Sequence, residues 1–335
     1  MDRHSGHDAD GSPEPAASGA VMTPPSMPEG GLVAVAVTPF DNDGALDEPS
    51  LRSLLDFYVD CGCSGIALLG VMGEANRMTD EESKALVESA IGAIDRRVPA
   101  IVGVSNSSLA RVADLAEFAM AAGCAGVLLQ PLPGLQGDDA VVAYYAAAAA
   151  ALGPDVPICL QDYPKANGVH LSVDAWRRIV TTCPSVTMLK HEAEPGLSKL
   201  ARIRAAEAEG IRSVTILVGN NGILLPQELN RGADGAMTGF AFPEVLASVI
   251  ALGRAGRLEE ASDLFDRFLP LNRYELAGGI AVRKEILRRR GVLRTATLRF
   301  PVARIDAATA AELDTLLARL ERGANTSLSE LQANP

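Results

Sequence analysis

Lys190 carries the clearest chemical signal in this 335-residue chain. It closes the apolar run Val186-Thr187-Met188-Leu189 and precedes His191-Glu192. An ammonium group is costly to bury, and burial lowers its pKa toward that of a neutral amine. A neutral amine attacks a ketone and forms a Schiff base. The alternative is a lysine that snorkels from a strand end and keeps its charge in water. What surrounds residue 190 decides between them.

Short apolar runs recur at Leu32–Thr38, Gly65–Leu69, Ala100–Val104, Gly126–Leu129, Pro157–Gln161, Val186–Lys190, Val214–Val218 and Gly235–Thr238. Each is too short for a helix. Their Val, Ile and Leu content and flanking Gly or Pro mark buried parallel strands. Helical patterns lie between them, at Glu48–Cys61, Asp80–Arg96, Leu109–Ala122, Asp138–Leu152, Ser172–Thr182 and Leu197–Glu209. Thr79-Asp80-Glu81-Glu82 has the form of a capping box. This alternation predicts a (β/α)8 TIM barrel. A doubly wound sheet is the rival, but no Gly-x-Gly-x-x-Gly follows an early strand. Helical periodicity then continues at Pro243–Arg254, Leu258–Asn272, Ile280–Arg290 and Ala307–Arg322. The expected organisation is a disordered tail over 1–30, a barrel over 31–242, a C-terminal helical extension over 243–323 and a flexible tail over 324–335.

Composition narrows the function. Hydrophobic residues make up 48% of the chain and aromatics only 4%, so the core is aliphatic. The net charge of -12 argues against nucleic acid and acidic membrane surfaces as partners. No run is long enough to span a bilayer, and no basic start with an apolar stretch marks a secretory leader. Cys61, Cys63, Cys124, Cys159 and Cys183 are odd in number and irregularly spaced. They read as small core residues in a reducing cytoplasm, not as disulfides or zinc ligands.

In a (β/α)8 barrel the chemistry sits at the C-terminal strand ends. Those ends read Thr38-Pro39-Phe40, Gly70-Val71-Met72-Gly73-Glu74, Gln161-Asp162-Tyr163-Pro164, Lys190-His191-Glu192, Gly219-Asn220-Asn221-Gly222 and Thr238-Gly239-Phe240. Polar and glycine residues thus converge on one rim around Lys190. Thr38, Gly70, Val71, Met72, Gly73, Glu74, Gly219, Asn220, Thr238 and Gly239 are the candidate substrate-binding positions. Backbone N–H groups of the Gly70–Glu74 turn could cradle a carboxylate. Glu74 either meets substrate or holds its loop by hydrogen bonds, and the second role is preferred.

Thr38-Pro39-Phe40, the Gly70–Glu74 turn, Lys190 and Gly232-Ala233-Asp234-Gly235 together resemble the dihydrodipicolinate synthase/N-acetylneuraminate lyase family, over roughly residues 30–322. By that resemblance Lys190 is the Schiff-base lysine. The glycine turn would bind the carboxylate of a 2-oxo acid. The resemblance also implies an enzyme with no metal and no cofactor that is a homo-oligomer, usually a tetramer.

Departures from the family pattern are equally informative. Val71 and Met72 replace hydroxyl residues of the turn, and Gln161 replaces a catalytic tyrosine. Pro131-Leu132-Pro133 faces another family tyrosine, and Ala166 lies near the position of an arginine that meets a second carboxylate. Dihydrodipicolinate synthesis and ordinary sialic acid cleavage both lean on the lost proton relay. Gln161-Asp162-x-Pro164, Lys190-x-Glu192, Gly235-Ala236-Met237-Thr238-Gly239-x-x-x-Pro243, Leu269-Pro270-Leu271 and the Arg283–Gly291 segment instead look like the 2-keto-3-deoxy sugar acid dehydratase branch, L-2-keto-3-deoxyarabonate dehydratases among them. That resemblance implies an imine at C2, loss of a C3 proton and departure of the C4 hydroxyl.

The general base stays open among Tyr163, Asp162 and Glu192. Strand alternation puts Tyr163 with Gln161, puts Glu192 with Lys190, and turns His191 away. Gln161 cannot titrate but can donate and accept hydrogen bonds. The catalytic set is therefore Lys190, Gln161, Tyr163 and Glu192. His170 and Lys165 are weaker rim candidates, and Arg283-Lys284 with Arg288-Arg289-Arg290 reads as a helix face paired with acids. Two rivals remain: a retro-aldolase releasing pyruvate by the same lysine, and a non-catalytic barrel that binds a 2-oxo acid.

Overall fold

The computed structural model describes residues 25–323, so residues 1–24 and 324–335 of the two expected tails lie outside the described residues. Eight parallel strands form a closed barrel in chain order: β1 (Gly31–Val35), β2 (Gly65–Leu68), β3 (Ala100–Gly103), β4 (Gly126–Leu129), β5 (Ile158–Asp162), β6 (Val186–His191), β7 (Thr215–Val218) and β8 (Gly235–Thr238). β8 pairs back onto β1, with Leu32 opposite Ala236. Helices α1 (Glu48–Asp60), α2 (Asp80–Ile94), α3 (Leu109–Ala122), α4 (Gly137–Leu152), α5 (Pro164–Asn167), α6 (Val173–Thr182), α7 (Gly196–Ala208) and α8 (Leu225–Asn230) occupy the connections. The extension holds α9 (Pro243–Arg254), α10 (Leu258–Arg289) and α11 (Ala307–Gly323).

The strands are apolar on both faces because both are covered. Val33, Val35, Ala67, Ile101, Leu128, Cys159, Met188, Leu217 and Met237 fill the interior. Their alternates, such as Ala34, Ile66, Val102 and Leu189, pack outward against the helices. Small aliphatic side chains suffice for this narrow interior, which fits the scarcity of aromatics. All five cysteines are buried and unbridged. Thr79 caps α2 with the full reciprocal box: its hydroxyl accepts from the Glu82 N–H at 3.2 Å, and Glu82 accepts from the Thr79 N–H at 2.9 Å. Among the described residues no helix is long and apolar enough to cross a membrane.

Details of the elements differ from the sequence expectation. β1 ends at Val35 and not at Thr38. β5 and β6 each run one residue further, to Asp162 and His191. Residues 258–289 form one element interrupted at Gly279, whose φ of 62° and ψ of -146° break the helical path. Residues 25–30 were expected in the disordered tail, yet Met27 packs against the barrel interior and Pro28 and Gly30 are buried. The open N-terminal end of the barrel supplies the apolar surface that holds them, which a local composition argument cannot see.

The extension is tied to the front of the chain by long-range polar contacts. Thr295 Oγ1 donates to Phe40 O at 2.6 Å, and the Arg299 guanidinium donates to Gly44 O and Glu82 while lying 4.4 Å from the Phe40 ring centre. These contacts brace the loops that follow β1 and β2.

One buried carboxyl makes the fold pH-sensitive. Glu228 of α8 is 9% exposed, its Oε2 has no hydrogen-bond partner, and burial pushes its pKa up to about 7 against the opposing pull of His191. A carboxyl raised in the folded state keeps its proton there after the unfolded chain has lost it. Native stability is therefore lost as pH rises from the ordinary carboxylate range through 7. Glu228→Gln removes this penalty. The variant should differ little from the parent near pH 5 and be more stable by up to about 3 kcal/mol at pH 8, in urea denaturation. An equal difference at both pH values would contradict this.

Candidate active site

β6 carries the central group. Met188 points into the barrel, so Lys190 points the same way one layer higher, and Glu192 follows just beyond the strand. Gln161 of β5 stands directly opposite Lys190 in the register. The three side chains meet. Lys190 Nζ lies 3.2 Å from Glu192 Oε2, and Gln161 Nε2 donates to the same oxygen at 2.6 Å. Exposure is 6% for Lys190, 8% for Glu192 and 2% for Gln161. The amine and its carboxylate are therefore largely removed from water, where their attraction is strong and their desolvation expensive.

The loop after β7 completes this arrangement. Asn220 N donates to Glu192 Oε1 at 3.4 Å, and Asn220 Nδ2 donates to the Glu192 carbonyl at 3.2 Å. Asn220 and Asn221 both adopt left-handed backbone angles, φ 50° and 56°, which asparagine tolerates better than most residues. A Cβ at Gly219 would sit 2.2 Å from Glu192 Cγ and Oε1. Only glycine leaves room there for the carboxylate, so Gly219 acts through Glu192.

The turn after β2 is a single 3₁₀ turn, Val71–Gly73, flanked by Gly70 and Glu74. Thr38 Oγ1 donates to Gly73 O at 2.6 Å and so fixes the turn to the end of the β1 segment. Met72 packs against the barrel interior, whereas Val71 is 52% exposed. Glu74 is fully buried and faces the extension. It accepts from Lys284 Nζ at 2.6 Å, Arg77 at 2.9 Å and Arg299 N at 3.0 Å. Its side chain is thereby spent on holding the loop. Burial, partly offset by Glu74, pulls the Lys284 pKa down to about 8.

The remaining candidates divide by strand face. Asp162 and His191 pair across β5 and β6 on the face opposite Lys190. His191 Nδ1 lies 3.6 Å from Asp162 Oδ2, its Nε2 lies 3.0 Å from Gly196 O, and Lys199 also binds Asp162. Asp162 is thus held away from the amine. Tyr163 lies just past the end of β5, half-buried, and its hydroxyl pKa is raised by burial and then by Glu192 and Glu194. Thr238 alternates with the inward Met237 and so faces the helices. Gly239 clears space for a buried side chain of the extension: a Cβ there would sit 2.2 Å from Arg283 Nη1. His170 and Lys165 are exposed.

A cavity of about 650 Å³ opens over the ends of β2 to β5, with Gln161 on its wall. Gln130, Ser105, Asn106 and Asn76 also line it. Sequence reasoning passed over these four. Gln130 and Ser105 stand just after β4 and β3, and position at a strand's C-terminal end was the available signal. Two cations on the wall are already paired: Lys84 with Asp114 at 2.8 Å, and Arg111 with Asp80. Among the described residues no group of three or more His, Cys, Asp or Glu is placed to hold a metal ion.

Comparison with known proteins places the chain in a family. The chain is 30% identical over 310 residues to L-2-keto-3-deoxyarabonate dehydratase of Azospirillum brasilense, covering 90% of this chain and 97% of the relative. It is also 30% identical over 247 residues to 4-hydroxy-tetrahydrodipicolinate synthase of Persephonella marina, covering 73% and 82%. The crystal structure of dihydrodipicolinate synthase from Rhodopseudomonas palustris superposes with a TM-score of 0.86 at 40% identity, covering 88% of this chain and 99% of that one. Residues 28–320 match the dihydrodipicolinate synthetase family model, and the chain belongs to that family.

Proposed function

We propose that this protein is a Schiff-base-forming lyase that dehydrates a 2-keto-3-deoxy sugar acid through Lys190. The observation that carries the reading is the buried contact of Lys190, Glu192 and Gln161. A carboxylate 3.2 Å from the amine can accept its proton and leave a nucleophile. The neutral amine adds to the C2 ketone, Glu192 returns the proton to the carbinolamine oxygen, and water leaves to give an iminium beside an ionised Glu192. The iminium acidifies C3. Glu192 takes the C3 proton, forming the enamine, and Gln161 orients the carboxylate without competing for the proton. The C4–O bond then breaks with the electron pair of the enamine behind it. The departing hydroxyl takes the proton back from Glu192 and leaves as water. Hydrolysis of the remaining iminium frees the unsaturated 2-oxo acid and restores Lys190.

The cavity lining supports a polyhydroxylated substrate. Amides and hydroxyls of Gln130, Gln161, Ser105, Asn106 and Asn76 suit the hydroxyls of an open-chain sugar acid. Lys84 and Arg111 are already engaged by carboxylates, which leaves them poorly suited to a second substrate carboxylate. The Azospirillum brasilense relative, named a dehydratase and matched over nearly its whole length, points the same way.

Incubation with 2-keto-3-deoxy pentonates and hexonates, followed by NMR of the products, tests the reading. The expected product is a dehydrated oxo acid that keeps every carbon. Pyruvate plus an aldehyde would establish the retro-aldolase instead, and no turnover of any such acid would favour a binding barrel. Glu192→Gln keeps the shape of the site but removes the base, and Gln161 must turn its own carbonyl oxygen toward the new amide to keep a hydrogen bond. Its kcat should fall by about 10²–10⁴-fold. Turnover at the parent rate would remove Glu192 from the mechanism.

A further inference from the structure

The C-terminal extension reaches the back of the Glu192 loop through a fully buried polar cluster. Glu275 and Asn272 lie on one face of α10, and Arg283 follows after the break at Gly279. Exposure is 0% for Glu275 and Asn272, 2% for Arg283 and 5% for Asn221. Arg283 Nε donates to Glu275 Oε1 at 2.7 Å, and Arg283 Nη2 donates to Asn221 Oδ1 at 2.6 Å. Asn221 Nδ2 donates to Glu275 Oε1 at 3.2 Å, and Asn272 Nδ2 donates to the Asn221 carbonyl at 2.8 Å. Asn221 is therefore gripped at three polar atoms by one helical element. Its neighbour Asn220 holds Glu192 by a backbone N–H and a side-chain amide.

We infer that Asn221 is a positioning residue for the reaction: through it, the extension sets the loop that presses Glu192 against Lys190. The inference rests on the role proposed above for Glu192. The grip is rigid because every partner is buried, and an unmade buried hydrogen bond costs more than a made one gains. Asn221 and Asn220 are adjacent and both left-handed, so the residue gripped by the helix and the residue that holds Glu192 share one peptide bond. Gly239 belongs to the same device, since any side chain there would displace the Arg283 guanidinium.

The test is exchange of the pyruvate methyl protons with deuterium oxide, followed by NMR. It needs only the imine on Lys190 and a base at C3, so the natural substrate need not be known. Asn221→Gly keeps the left-handed backbone and removes the amide. Its exchange rate should fall about 10-fold with little change in the pyruvate concentration at half-rate, and its pH–rate profile should shift. Glu192→Gln should fall further, and adding Asn221→Gly to it should cost nothing more, because the two act through one group. If Asn221→Gly does not fold, Asn272→Ala, which removes only the bond to the Asn221 carbonyl, should show the same pattern. Additive losses in the double variant, or a parent-like rate in the folded single variant, would overturn the inference. No exchange by the parent protein would instead bring down the proposed reaction, and the inference with it.

Discussion

The structure depends on keeping an amine and a carboxylate together in a place that water barely reaches. Lys190 and Glu192 each expose less than a tenth of their surface. Burying such a pair does not stabilise a fold by itself, and removing one partner typically costs about 3–5 kcal/mol. The pair is held because other groups complete the hydrogen bonding of the carboxylate. Gln161 serves one oxygen and the Asn220 backbone the other, while Gly219 withdraws its own side chain to make room. The same arrangement supplies what the proposed chemistry needs: an amine, an adjacent proton acceptor and a neutral amide to aim it.

The C-terminal extension is part of the site's framework. Two consecutive residues of α10 send buried cations to different loops. Lys284 binds Glu74 and so fixes the turn after β2. Arg283 binds Glu275 and Asn221 and so fixes the loop after β7. Neighbouring residues of a helix point about 100° apart, which suits a single helix to bracing two sides of a barrel mouth. Such loops would be mobile if left to their own short sequences.

Much of this was legible in the sequence. The strands have a strong local signal, and strand alternation put Glu192 on the face of Lys190 and turned His191 away; that Gln161 of the neighbouring strand meets them needed the register. The loop-holding role of Glu74 was the preferred one, but its partner Lys284 lies 210 positions away and leaves no local trace. Gly219 and Gly239 looked like substrate contacts, whereas their lack of a side chain serves Glu192 and Arg283. That distinction needs the distances. Strand alternation set Tyr163 beside Gln161 and so turned Asp162 away, and Asp162 does pair with His191 on the opposite face, because β5 runs one residue further than expected. Gln130 and Ser105 were missed because single polar residues after a strand are common. Met27 was assigned to a tail because its burial depends on the barrel end it covers.

The central claim is that Lys190, and not another buried lysine, is the nucleophile. Lys284 is the natural competitor, with its pKa pulled down to about 8, but it is fully buried and bonded to Glu74 and Thr297 O. Borohydride reduction in the presence of pyruvate, followed by peptide mass spectrometry, separates the two. The account predicts one reduced adduct per chain, on the peptide containing Lys190. An adduct on Lys284, or none on folded protein between neutral and mildly basic pH, would contradict it.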